Sequence, residues 1–134
     1  MERLYPKEVD VHTLSPLALA FVGDGVYSLL VRERLLTIAN RPVNDLHHLA
    51  VNAVRAEAQS AAMERLLPRL TPEEEAVYKR GRNAHTHAAP RGVSPGQYAR
   101  ATGMEALFGG LYLLGRRQRI NELFARMMED DHAL

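Results

Sequence analysis

Two carboxylates occupy unusual settings in this sequence. Asp24 interrupts an apolar helical pattern and has glycine on both sides, in residues 17–27, LALAFVGDGVY. Glu105 lies in a similar setting, in residues 101–110, ATGMEALFGG. A glycine inside a helix costs about 1 kcal/mol relative to alanine, and a charge within an apolar stripe costs more unless it is paired or bound to a cation. The glycines remove side-chain bulk, so we expect another helix or a ligand to come close at both places.

Asp24 and Glu105 would meet if the two helices that carry them pack side by side. Carboxylate oxygens are ligands that suit Mg²⁺ or Mn²⁺. A cation held there could activate a water molecule and neutralise charge on a phosphodiester. The alternative is that each carboxylate faces solvent or caps a neighbouring backbone group.

Positive charge is concentrated between Glu75 and Glu105, where the sequence has no acidic residue. The basic residues and histidines of this segment are Lys79, Arg80, Arg82, His85, His87, Arg91 and Arg100. Most are arginines, whose planar guanidinium suits phosphate oxygens. The segment therefore predicts a local phosphate-binding surface on a chain whose net charge is only +1. The alternative is an ordinary solvated surface.

The histidines offer a rival metal site. His47 and His48 are adjacent on a predicted helix and point about 100° apart, so they cannot chelate one ion together. His85 and His87 form an H-x-H pair in a predicted loop, but the sequence places no third ligand beside them. No G-x-S-x-G, P-loop or G-x-G-x-x-G motif occurs, which argues against a serine hydrolase and against a nucleotide cofactor.

Apolar residues at helical spacing predict an all-α, single-domain protein of about five main helices. Cap residues mark most of the helix starts, and three of them, Ser15, Thr71 and Ser94, are followed directly by proline. The predicted helices cover residues 15–37, 44–67 with Asn44 as cap, 71–81, 94–114 and a last stretch after Gly115. Residues 1–12 are expected to form an irregular leader, 82–93 a loop and 129–134 a tail.

Composition limits the setting of this domain. The chain has 134 residues, which is enough for one compact core. It has no cysteine, which excludes disulfides and thiolate metal sites and is compatible with a reducing cytoplasm. The N-terminal residues do not resemble a signal peptide, and the longest apolar run, residues 17–22, is too short to span a bilayer. We therefore expect a cytoplasmic protein with no membrane partner.

Several segments together resemble the ribonuclease III family. Residues 21–26, FVGDGV, are similar to the signature helix of its catalytic domain, and residues 102–109, TGMEALFG, to its second metal-binding segment. The resemblance is closer to Mini-ribonuclease III, the bacterial branch that has only the catalytic domain. The residues that carry this closer resemblance are 23–27, 46–47, Gln59, 79–83 and 102–107. The similarity extends over nearly all residues from Leu14 to Leu123.

The resemblance implies a fold, an activity and a set of functional residues. It implies hydrolysis of double-stranded RNA to 5′-phosphate and 3′-hydroxyl ends, with Asp24 and Glu105 as catalytic residues that hold Mg²⁺. It points to the precursor of large-subunit (23S) ribosomal RNA as substrate. It also implies a homodimer, with Phe21 at the twofold interface. A-form RNA is recognised mainly through phosphates and 2′-hydroxyls, a role that suits Lys79, Arg80, Arg82, Asn83 and Arg91.

The sequence also departs from ribonuclease III proper, which has further acids near the metal. Those positions correspond here to Leu17, Ala20 and Thr102, and the Mini branch is similar in lacking the acids. Two carboxylates per protomer cannot fill an octahedral shell, so water and RNA oxygens would supply most ligands. Whether one ion or two act stays open.

A second hypothesis is a non-catalytic helical module that binds RNA or protein and has kept the fold. Such a module would keep the basic residues at positions 80–82 but would not need Asp24 and Glu105 in their glycine settings. The presence of both acids favours the enzyme.

Overall fold

The computed structural model describes residues 3–84 and 89–128. Within these ranges every regular element is a helix, which confirms the predicted all-α class. The α-helices are α1 (Pro16–Ile38), α2 (Val43–Ala53), α3 (Ala56–Leu66), α4 (Pro72–Arg82), α5 (Pro95–Leu113) and α6 (Arg117–Met128). Short 3-10 turns lie at Val11–Thr13 and Leu67–Arg69. The predicted tail, 129–134, and the pair His85 and His87 lie outside the described residues.

Three helix starts are built as the sequence predicts. The side chains of Ser15 and Ser94 each accept a hydrogen bond of 3.1 Å from the backbone amide three residues further on. Thr71 forms a capping box with Glu74: the threonine hydroxyl accepts from the Glu74 amide at 3.2 Å, and the Glu74 carboxylate accepts from the Thr71 amide at 2.9 Å. Proline follows each cap, where its missing N–H leaves no hydrogen bond unmade.

The structure divides the predicted helix 44–67 into α2 and α3. The break lies between Ala53 and Ala56, where Arg55 adopts an extended backbone with φ −66° and ψ 146°. The residues at the break, Val54 and Arg55, are neither glycine nor proline. The sequence therefore gives no sign that the helix ends here. Because the chain turns here, α3 packs its own face against α5 and buries Gln59.

The start of α2 also differs from the prediction. Pro42 occupies the N-cap position without a side-chain hydrogen bond, and Asn44 lies inside the first turn instead of capping it. Among its residues only Ala50 is buried. Tertiary packing therefore holds α2 less firmly than the helices that pack against α5.

α5 is the central helix, since α1, α3, α4 and α6 all pack against it. From Met104 to Leu111 every residue except Glu105 is buried. A helix that is apolar on all sides belongs in a core. The ring of Tyr27 meets Phe108 and Phe124 edge-on, with centroids 6.0 and 5.7 Å apart. Glu105 is thus the exception on the most enclosed helix of the fold.

α4 and α5 cross closely at two glycines. A Cβ on Gly103 would lie 2.7 Å from the carbonyl oxygen of Tyr78, and one on Gly81 would lie 2.6 Å from the Cβ of Ala106. This crossing fixes the C-terminal half of α4, with its basic residues, beside the helix that carries Glu105. No helix in the described ranges is long and apolar enough to cross a membrane.

Candidate active site

α1 and α5 touch through their backbones at a pair of glycines. A Cβ on Gly23 would lie 1.6 Å from the carbonyl oxygen of Glu105, and one on Gly109 would lie 1.9 Å from the carbonyl oxygen of Leu19. Real side chains never come this close, so both positions need glycine. The contact sets Asp24, next to Gly23, beside Glu105. The predicted meeting of the two acids therefore follows directly from the glycines around them.

Glu105 is the more enclosed of the two carboxylates. Burial and, second, the neighbouring charge of Asp24 raise the pKa of Glu105 from its ordinary 4.5 to about 8. A side-chain interaction with Asp24 adds to the rise in the pKa of Glu105. Two neighbouring carboxylates, one of them largely buried, form a site whose charge a divalent cation would balance. The residues present therefore fit a hard cation such as Mg²⁺.

Asp24 differs from the sequence expectation in one respect. The apolar residues around Asp24 predict that its carboxylate is buried, but in the structure Asp24 is exposed to solvent. Gly25, on its other side, has no atom within 4 Å of the Cβ position, so this glycine does not serve a contact within the chain. Only Gly23 explains the close approach on this side.

No third metal ligand joins the pair within the described residues. In that part of the chain no three His, Cys, Asp or Glu side chains converge. Thr102, which corresponds to an aspartate in ribonuclease III proper, donates its hydroxyl to the carbonyl oxygen of Tyr98 at 3.0 Å. His47 and His48 are exposed on α2. Water and phosphate oxygens would therefore complete the shell of a cation bound by Asp24 and Glu105.

A cavity of about 420 Å³ opens beside Glu105, between α3 and α5. Its lining includes Arg55, Gln59, Gln97, Tyr98 and Thr102. The sequence pattern predicted a role for none of these side chains. Gln59 is among the residues that carry the closer family resemblance, but that resemblance assigns it no role.

The comparisons with known proteins agree with this architecture. A family model described as Ribonuclease III domain matches residues 17–116. The chain belongs to the ribonuclease III family. It is 50% identical over 111 residues to a Mini-ribonuclease 3 of Symbiobacterium thermophilum, a match that covers 83% of this chain and 85% of the relative. It is 43% identical over 123 residues to a Mini-ribonuclease 3 of Thermoanaerobacter, covering 90% and 87%.

A solved structure shares the fold of this ribonuclease III family member. A crystal structure of a Fusobacterium nucleatum protein superposes with a TM-score of 0.81 at 27% identity, and the match covers 93% of this chain and 95% of that one. The resemblance inferred from the motifs is thereby confirmed over nearly the whole length.

The structure distributes the predicted RNA-binding residues of α4 over two sides of that helix. Residues 80 and 82 lie about 160° apart around a helix axis. Arg82 lies over the ring of Tyr78, 5.7 Å from its centroid, and its Nε donates to Asn83 at 3.3 Å. Arg80 instead lines a separate cavity of about 170 Å³. The two guanidinium groups therefore extend from different sides of α4.

Two other predicted RNA-binding residues also have defined surroundings. Lys79 forms an ion pair of 2.7 Å with Glu75, one turn earlier on α4. Arg91 is exposed, and its neighbours Pro90 and Gly92 line the cavity beside Glu105. Among the predicted residues, Arg91 therefore has the clearest connection to the acids. Arg100, also basic, donates from Nε to Ser60 at 2.6 Å and joins α5 to α3.

Phe21 belongs to an apolar stripe on the outer side of α1. It is 83% exposed, and Leu29 and Leu36 are 47% and 59% exposed. Residues 21, 25, 29 and 36 share one face of the helix, and Asp24 lies at the edge of that face. A large aromatic ring left in water is unfavourable. The stripe is the kind of surface that another protein chain covers.

Proposed function

We propose that this protein is a magnesium-dependent endoribonuclease that hydrolyses phosphodiester bonds in double-stranded RNA, with the whole chain acting as one catalytic domain. The observation that carries this is the pair Asp24 and Glu105, brought together by the glycine contact between α1 and α5. Family membership and the Mini-ribonuclease 3 relatives support the reaction class.

Asp24 and Glu105 would hold the cation, with Mn²⁺ as an alternative to Mg²⁺. When bound, the cation supplies an activated water and neutralises charge on the phosphodiester. Glu105 must lose its proton before it can act as a ligand, so cation binding is accompanied by proton release. Asp24 is exposed on α1, so it is accessible to a cation and to a substrate from solvent.

A single experiment tests the reaction. A fully paired RNA duplex and its separated strands are incubated with the protein in Mg²⁺, in Mn²⁺ or in EDTA. We expect internal cleavage of the duplex, dependent on the cation, with 5′-phosphate products. Binding of the duplex without cleavage in any cation would favour the non-catalytic module instead.

The precursor of 23S ribosomal RNA is the proposed natural substrate, and the cytoplasm the proposed location. The support for both is the similarity to Mini-ribonuclease III. The substrate is tested with transcripts that carry the precursor stem or a scrambled stem of equal length and pairing. Preferred cleavage at one position in the natural stem supports this substrate, and equal, scattered cleavage of both stems contradicts it.

A homodimer is the proposed working form, with Phe21 at its interface. Burying a Phe contributes roughly 1.5–3 kcal/mol, and each protomer supplies one ring. Phe21→Ala is therefore expected to raise the dimer dissociation constant about 10²-fold or more. Sedimentation equilibrium measures it, and Tyr5→Ala, which removes another exposed aromatic ring, is the control. A wild-type monomer that cuts both strands would contradict this assembly.

Lys79, Arg80, Arg82, Asn83 and Arg91 are the proposed RNA contacts. Each lost phosphate contact releases fewer counterions, so the slope of log K against log salt should fall by a little under one unit per contact. We expect this for Arg91→Ala and for Arg82→Ala, each in an Asp24→Asn background that binds without cutting. Residues 80 and 82 lie on different sides of α4. If the slope falls further when Arg80→Ala is added to Arg82→Ala, both sides contact RNA, and if it does not, only the Arg82 side does.

The control for these titrations is Arg126→Ala, which removes an exposed arginine from α6. Binding to the duplex is followed by fluorescence anisotropy at several salt concentrations. If every variant keeps the slope and affinity of the background protein, the basic segment is solvated surface and does not contact RNA.

A further inference from the structure

Gln59 is a buried polar residue with an unused hydrogen-bond donor. It is 2% exposed, and its Nε2 has no hydrogen-bond partner among the described residues. A buried donor left unpaired costs about 1–3 kcal/mol, so an apolar residue of similar shape would give a more stable α3. A buried amide donor therefore calls for an acceptor close by.

The Gln59 side chain faces the Glu105 carboxyl. Burial and Asp24 raise the pKa of Glu105 and Gln59 acts in the opposite direction, while Nε2 of Gln59 forms no hydrogen bond with the described residues. Both residues line the 420 Å³ cavity, where α3 packs against α5. The two side chains therefore border one space, in which a contact between them can form.

We propose that Gln59 is a positioning residue, whose Nε2–H donates to the Glu105 carboxylate oxygen that does not bind the cation and so holds the other oxygen toward Asp24. This inference rests on the proposed function, because it assigns a cation to the two acids. Carboxylates that bind metals are commonly held by such hydrogen bonds from neighbouring groups.

The chemistry of the amide suits this position better than the alternatives. A carboxylate at residue 59 would add a third negative charge beside Asp24 and Glu105, and an ionised carboxylate donates no hydrogen bond. An apolar side chain would offer no donor to the largely buried Glu105 carboxylate. A neutral donor avoids both penalties.

The test uses Gln59→Met, which keeps the length and approximate volume of the side chain and removes the N–H. Mn²⁺ is titrated calorimetrically into the RNA-free protein, and the melting temperature is measured with and without Mn²⁺. We expect the dissociation constant for Mn²⁺ to rise roughly 10–100-fold, with a melting temperature in EDTA equal to or above that of the wild type. Gln118→Met, at an exposed position on α6, is the matched control and should bind Mn²⁺ as the wild type does.

A purely structural role for Gln59 predicts the reverse pattern. In that case Gln59→Met would melt at a lower temperature in EDTA while the folded protein bound Mn²⁺ with wild-type affinity, and the proposal would be overturned. If Gln59→Met does not fold, Gln59→Leu, also without a donor, takes its place. Wild-type protein that neither binds Mn²⁺ nor cleaves duplex RNA overturns the proposed function itself. Wild-type binding matched by the Gln59 variant overturns only the positioning role.

Discussion

Asp24→Asn and Glu105→Gln are each expected to lower the rate of duplex RNA cleavage about 10³-fold or more. Each change removes one of the two charges that the chain offers a cation and keeps the shape of the side chain. Charge stabilisation by a bound metal is worth several kcal/mol, and each 1.36 kcal/mol corresponds to a factor of ten in rate. Single-turnover cleavage at saturating protein and Mg²⁺ measures the effect without interference from weaker RNA binding.

Glu64→Gln is the matched control for charge, since it removes an exposed carboxylate from α3. It should cleave at close to the wild-type rate. If Asp24→Asn or Glu105→Gln also cleaves at that rate, the assignment of the two acids to catalysis is wrong.

Glu105→Gln should lower activity but raise the stability of the metal-free fold at high pH. The pKa of Glu105 is raised in the fold to about 8, so the folded metal-free protein holds this proton more tightly than the unfolded chain. Its unfolding free energy should therefore fall as the pH rises from about 4.5 toward 8. Glu105→Gln lacks this titration, so it should melt above the wild type in EDTA at pH 9, with a smaller difference at pH 5. Mg²⁺ should stabilise the wild type and not the variant.

The sequence could predict that the two glycine-flanked acids form a functional site, and the reason is physical. A charge and flanking glycines in an apolar helical pattern are locally unfavourable, and such conflicts commonly mark functional sites. The helix starts at Ser15, Thr71 and Ser94 could also be predicted, because a capping hydrogen bond depends only on residues within the first turn.

Features set by tertiary packing could not be predicted in the same way. The turn at Arg55 has no glycine or proline signal, and it exists because α3 finds its own packing against α5. Without that turn the sequence gives no reason to place Gln59 beside Glu105. The separation of Arg80 from Arg82 is implicit in helical geometry, but a run of positive charge along the sequence does not show how the charges are distributed around the helix.

Gly109→Ala is expected to destabilise the protein by at least about 3 kcal/mol, although it adds only one methyl group. The new Cβ would lie 1.9 Å from the carbonyl oxygen of Leu19 and 2.9 Å from the backbone nitrogen of Gly23. Both atoms belong to the backbone of α1, so no side chain can rotate to make room and the helices must move apart. For a chain of this size the melting temperature should fall by roughly 10 °C or more.

The neighbouring residue provides the control. A Cβ on Gly110 would meet Val77 Cγ1 at 3.6 Å, an ordinary contact with a side chain. Gly110→Ala should therefore be neutral, or stabilising by up to about 1 kcal/mol through helix propensity. Both variants gain the same methyl group in the same turn of α5, so their difference isolates the contact between α1 and α5.

Because that contact sets Asp24 beside Glu105, Gly109→Ala should also bind Mn²⁺ more weakly at temperatures where it is still folded, whereas Gly110→Ala should bind it as the wild type does. Equal melting temperatures for the two variants would show that the helix crossing does not depend on glycine, and the glycine contact could then not be the reason why the two acids lie together.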